Sequence, residues 1–131
     1  ISFEGNSGPY LMYSYTRVQS ILRKAEEAGL KPATDSQGAW DQLSHTTEHA
    51  IMRHLYDFNG TCLAAAEQCK PSLLATHLFA SCKAFNRFYA EVSVLKSEPK
   101  IAAVRLGLVA AFAEQLRQGL ALLGITPPPR M

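Results

Sequence analysis

The sequence has no apolar run long enough to cross a membrane. Its hydrophobic stretches are broken every few residues by Arg, Lys, Glu or Gln, well short of the ~18 uninterrupted residues a spanning helix needs. The start of the chain lacks a basic flank followed by an apolar block, so no secretory leader is expected. Cysteine is scarce and odd in number. Cys62, Cys69 and Cys82 cannot all pair within one chain, and their uneven spacing fits reduced thiols in a cytoplasmic protein better than a disulfide framework. A Gly-rich phosphate loop, a nucleophile elbow and a paired-carboxylate signature are all missing, so these residues carry no sign of catalysis of their own. Charge is modest: 13 basic against 11 acidic side chains, a net +2, too little to establish nucleic-acid binding alone.

What is present is the material of one globular domain spanning residues 1–131. A hydrophobic content of 47% against 18% charged residues excludes a disordered tail and allows a substantial core. The first residue is Ile1 rather than Met, which suggests a fragment of a longer chain. The charges are unevenly spread. Residues 1–66 carry five basic and seven acidic groups, and residues 67–131 carry eight and four. A positive second half suits an RNA backbone, and equally a solvated helix surface.

Five helical segments and no strand are expected. The first begins around Pro9, where a missing N–H is harmless, and ends at Gly29. The second runs from about Ala39 to Phe58, with a break near Ser44. The third spans Gly60 to Cys69, with Asn59-Gly60-Thr61 as its starting turn. The fourth runs from Pro71 to about Val92, and the fifth from Pro99 to Leu123, where Gly124 and Pro127-Pro128-Pro129 stop it. At 100° per residue, Leu11, Tyr15, Val18 and Leu22 share one sector of roughly 60° on the first helix. Leu74, Leu78, Cys82, Phe85 and Tyr89 align on the fourth. Ile101, Leu108, Phe112, Leu116 and Leu123 align on the fifth. Three amphipathic stripes must bury one another, which makes an all-α bundle the natural product.

A second stripe runs along the first helix: Tyr10, Tyr13, Arg17 and Lys24. Aromatic rings beside a guanidinium suit unstacked RNA bases and their phosphates. The same residues could instead rim the core, with Arg17 pairing a carboxylate. On the fourth helix Phe85 and Phe88 read as core, and Asn86, Arg87 and Tyr89 lie near them. Arg105 falls on the packed face with Ile101, Leu108 and Phe112. A buried guanidinium must be paired, so Arg105 reads as structural, holding the fifth helix against the first. His45-Thr46-Thr47-Glu48-His49 has zinc-helix spacing, but no third ligand follows at a recognisable distance. His54 and His77 read as surface residues, and no metal is expected.

Four motifs in order then carry a resemblance. They are Phe3-Glu4-Gly5-Asn6-Ser7-Gly8-Pro9-Tyr10-Leu11 continuing through Tyr13 to Arg17, then Ala84-Phe85-Asn86-Arg87-Phe88-Tyr89, then Ala103-Val104-Arg105-Leu106, and the ending Leu122-Leu123-Gly124-Ile125-Thr126-Pro127-Pro128-Pro129-Arg130-Met131. Together they resemble the DALR anticodon-binding domain at the C-terminus of arginyl-tRNA synthetases, over nearly the whole chain. The resemblance implies an all-α domain that contacts the anticodon region of arginine tRNA through Tyr10, Tyr13, Arg17, Asn86, Tyr89, Arg130 and Met131. It implies a catalytic domain upstream, in a parent enzyme that uses ATP to join arginine to its tRNA. The fragment itself should be non-catalytic and hold no cofactor, and neither DNA nor a membrane is an expected partner. The chain departs from the family at Ser7, where Thr is usual, at Met12, where Gln is frequent, and at Pro129, where Glu is common. The rival reading is a helical protein-interaction module, or a synthetase homologue that has lost catalysis.

Overall fold

The computed structural model describes residues 4–34 and 40–127, with side chains from residue 8 onward. Four long helices fill most of this span: α1 Glu4–Glu27, α2 Thr46–Glu67, α3 Pro71–Glu91 and α4 Pro99–Leu122, with a single 3-10 turn at Trp40–Gln42 before α2. Among the described residues there is no strand, and no helix is long and apolar enough to cross a membrane.

The boundaries differ from expectation in instructive places. α1 begins at Glu4, so Pro9 sits inside it. Pro9 is the sixth residue of α1, so it forfeits a regular backbone bond to the carbonyl of residue 5, just past the first turn, where helix N–H groups lack partners anyway. The second and third expected helices are one. α2 continues through Asn59, Gly60 and Thr61, and the Thr61 hydroxyl donates back to the Asp57 carbonyl at 3.0 Å. The neighbours of Gly60 are weak helix formers, and it is packing on either side, through buried Phe58 and Ala65, that carries the helix past the glycine. The expected break near Ser44 is present, because α2 starts only at Thr46; Ala39 lies outside the described residues.

Three helices end in the same way. After α1, Leu30 N–H bonds the Ala25 carbonyl and Gly29 N–H bonds Glu26. After α4, Ile125 bonds Leu120 and Gly124 bonds Ala121. After α2, Lys70 bonds Ala65 and Cys69 bonds Ala66. These are Schellman closures, which need a left-handed residue just past the helix. Gly29 and Gly124 supply it at φ 78, and Cys69 supplies it at φ 53. The resulting short α2–α3 connection folds the two helices into the tightest pair of the bundle, while α1 lies against α3 and α4.

Phe85 of α3 stacks on Phe112 of α4 at 4.7 Å between ring centres. Around them are buried Leu11, Val18, Ile51, Leu78, Phe88, Leu106, Leu116 and Leu120. α4 is buried on more sides than its five-residue stripe implied: Ala102, Val104, Leu106, Val109, Ala113 and Leu120 also lose their contact with solvent. It contacts all three other helices, so no single stripe could describe it. Gly107 lets the segment ahead of α2 dock on it. A Cβ there would lie 2.7 Å from the Trp40 ring and 3.1 Å from the Ala33 carbonyl oxygen, and the Ala33 N–H bonds the Ala103 carbonyl at 2.8 Å.

Candidate nucleic-acid interface

On α1 the side chains Leu11, Ser14, Val18, Ile21 and Ala25 are buried, each three or four residues from the next, and Thr16 is buried beside them. That leaves Tyr10, Tyr13, Arg17 and Lys24 on the adjoining side. Tyr10 and Arg17 are half-buried because α3 lies beside them; Tyr13 is 53% exposed and Lys24 is exposed. On α3, Phe85 and Phe88 point fully into the core. Asn86 and Tyr89, one and four residues on from Phe85, emerge at the α1–α3 seam.

The two helices meet there through side chains. Arg17 Nη1 donates to Asn86 Oδ1 at 2.8 Å, and Asn86 Nδ2 donates to the Tyr10 hydroxyl oxygen at 2.7 Å. The Arg17 guanidinium carbon sits 5.4 Å from the centre of the Tyr89 ring, a cation–π distance. The Tyr89 ring lies nearly parallel to Phe85 at 6.1 Å, and Tyr10 packs on Phe79 at 5.0 Å. The structure therefore brings Tyr10, Arg17, Asn86 and Tyr89 into one cluster from positions up to 79 residues apart in sequence. Tyr13 stands beside it in solvent. Arg130 and Met131 lie outside the described residues.

The cluster is chemically incomplete in a useful way. Among the described residues Arg17 pairs with an amide and a ring, not with a carboxylate, so nothing among them neutralises its charge. The Tyr10 hydroxyl accepts from Asn86 and keeps its own proton to donate. Aromatic faces, an uncompensated guanidinium and a free hydroxyl proton on rigid helices are what unstacked bases and phosphates bind.

Arg105 lies elsewhere. Its Nε donates to Glu48 Oε2 at 2.7 Å, and Nη1 donates to the Ser93 carbonyl at 2.8 Å and to the Ser97 hydroxyl at 2.7 Å. It ties α4 to α2 and to the α3–α4 loop, not to α1 as expected. Glu48 is the partner that sequence reasoning missed. Its other oxygen accepts from the His45 N–H at 2.9 Å, while His45 Nδ1 faces the Thr47 N–H at 3.2 Å. This reciprocal pattern is a capping box, with His in the place of the usual Ser or Thr; the Glu three residues after the cap was the available signal. The zinc-like His45–His49 spacing is thus occupied by helix capping at His45 and by a 2.8 Å contact from His49 Nε2 to the Leu43 carbonyl.

His54 and His77 are not surface residues. They meet edge to face at 5.5 Å between α2 and α3, and His77 Nε2–H points to the His54 carbonyl at 3.2 Å. Burial pushes both rings below the ordinary histidine range, and for His54 the neighbouring His77 adds to the shift. Burial likewise pushes the Cys82 thiol up to about 12, so it stays protonated and inert. Among the described residues, no group of three or more His, Cys, Asp or Glu side chains could hold a metal ion.

Residues 11–131 match the family model described as DALR anticodon binding domain. An arginine–tRNA ligase of Chloroflexus aurantiacus is 39% identical over 132 residues, covering 100% of this chain and 22% of that protein. The arginine–tRNA ligase of Chromobacterium violaceum is 40% identical over 125 residues, 95% of this chain and 21% of its own length. Among solved structures, Thermus thermophilus arginyl-tRNA synthetase superposes with a TM-score of 0.81 at 34% identity, over 98% of this chain and 22% of that one. The chain thus spans about a fifth of the length of the relatives it matches.

Proposed function

Because the chain belongs to the DALR anticodon-binding domain family, we propose that its α1–α3 face contacts the anticodon region of arginine tRNA on behalf of a cytoplasmic, ATP-dependent arginine–tRNA ligase. Catalysis would reside in the part of that enzyme outside these residues. The observation that carries this reading is the linked set Arg17–Asn86–Tyr10 with Tyr89 beneath the guanidinium. Tyr89 and exposed Tyr13 would offer ring faces to bases turned out of the loop, each stacked base worth about 1–3 kcal/mol. Arg17 would face a phosphate or a base edge. Arg130 and Met131 would add the contacts that the family resemblance assigns to the end of the chain.

The arrangement limits the cost of binding. Arg17 and Asn86 already hold each other, so little side-chain freedom remains to be lost when RNA arrives. The domain's task is positional: contacts at one end of a long tRNA hold the acceptor end at a distant active site.

The test is a titration of the full-length protein against arginine tRNA and against the same tRNA altered in its anticodon, repeated with Tyr89→Ala. Preference for the native anticodon is expected. Tyr89→Ala should weaken binding of the native tRNA roughly tenfold, the value of one stacked base. Equal binding of both RNAs by the unaltered protein would remove anticodon reading from the proposal.

A further inference from the structure

The α3 helix shows solvent more than the aromatic cluster. Going outward around its axis, Asn86 is followed by Phe79, Lys83 and Arg87. The Lys83 ammonium lies 5.5 Å from the centre of the Phe79 ring, and Phe79 is the ring that supports Tyr10. Lys83 and Arg87, four residues apart, are both exposed and line a cleft of about 240 Å³ with Ala84 and with Thr47 and Ala50 of α2. Neither cation makes a hydrogen bond or ion pair among the described residues, and Glu91, one turn beyond Arg87, does not reach it.

The cleft wall strengthens the positive field. Thr47 and Ala50 belong to the start of α2, the positive end of its dipole. The one acid in that first turn, Glu48, is buried and bound by Arg105, so its charge is offset. Among the described residues no acidic side chain lines the cleft. Two unpaired cations beside a helix start, joined to an aromatic patch by a shared ring, form a continuous track.

We propose that Lys83 and Arg87, in the cleft closed by Thr47, bind the backbone phosphate of the same RNA whose bases stack at Tyr13 and Tyr89. This rests on the anticodon-binding reading and adds a second point of attachment to it, on the far side of Phe79. The strand would run along α3 between its two neighbours, bases toward α1 and a phosphate toward α2.

The experiment is the salt dependence of binding by the full-length protein to arginine tRNA, comparing Lys83→Ala/Arg87→Ala with Tyr89→Ala and with Lys70→Ala. Lys70 is the control because it precedes α3, 13 residues and about 20 Å from Lys83 along the helix. Each phosphate contact contributes about −0.7 to the slope of log K against log salt on single-stranded RNA. The double variant should therefore flatten the slope by about 0.7, the value of the one phosphate the two cations share. Tyr89→Ala should lower affinity at an unchanged slope, Lys70→Ala should change neither, and Lys83→Arg, which keeps both charges, should leave the slope of the unaltered protein. An unchanged slope in the double variant, with Tyr89→Ala still weakening binding, would overturn the phosphate cleft and leave the anticodon reading standing. A Lys70→Ala loss equal to that of Lys83→Ala would overturn it too, since the cations would then act as a diffuse field. Failure of the unaltered protein to bind the tRNA would sink both.

Discussion

Arg105 and Glu48 show how a single residue pair distributes roles across the molecule. Glu48 is 1% exposed, and an ionised carboxylate so deep needs every partner it has. It holds the start of α2 with one oxygen and α4 with the other. Arg105→Ala would strand that charge, and the expected cost is about 3 kcal/mol, at the low end for a broken buried pair because water reaches the arginine side. Urea unfolding monitored by circular dichroism would measure it. RNA affinity per folded molecule should be unchanged, because Arg105 and the Arg17–Tyr89 cluster share no partner. Asn86 is the matching pivot at the proposed RNA face. Its amide accepts from one α1 residue and donates to another, a geometry that leaves the arginine charge unspent.

Among the helices, α2 is the one least visible beforehand. Gly60 looked like a boundary because glycine ends helices elsewhere in this chain, at Gly29 and Gly124. The difference is conformational: Gly29 and Gly124 have φ 78, while Gly60 keeps helical geometry and a Cβ added there would meet nothing within 4 Å. Gly60→Ala is accordingly expected to stabilise the domain by roughly 0.5–1 kcal/mol through the helix it interrupts. The thermal midpoint checks this, and a fall in the midpoint would contradict the helical assignment at Gly60. α2 ends at Glu67, two residues short of the Cys69 expected, and the left-handed residue that closes it is that same Cys69, a residue with no sequence reputation for such backbone.

For the molecule as a whole, the α2–α3 pair is the element of the bundle most exposed to pH. His54 and His77 both have rings held below the ordinary histidine range, chiefly by burial; the charge of Arg53 adds to the shift at His54, and Asp57 opposes it at both rings. The folded state resists protonation more than the unfolded chain does, so stability is fully present above the unfolded value near 6.5 and is lost as pH falls through the lowered folded values. The melting temperature should drop between pH 7 and pH 5. His54→Gln should make that drop smaller while keeping the backbone carbonyl that His77 bonds.

The sequence by itself determined the bundle and the identity of most of its core, since Leu11, Val18, Leu78, Phe85, Phe112 and Leu116 recur at helical spacing and apolar spacing is a local property. It also placed Tyr10, Tyr13 and Arg17 together, because they lie one above the other on successive turns of one helix. It could not see what depends on two helices meeting. Only the tertiary structure decided that Asn86 bonds Arg17 and Tyr10, that Arg105 answers Glu48 and not α1, that His54 meets His77, and that Lys83 and Arg87 open onto α2. Each of these contacts spans tens of residues. Its strength comes from desolvation and geometry that exist only once the helices have packed.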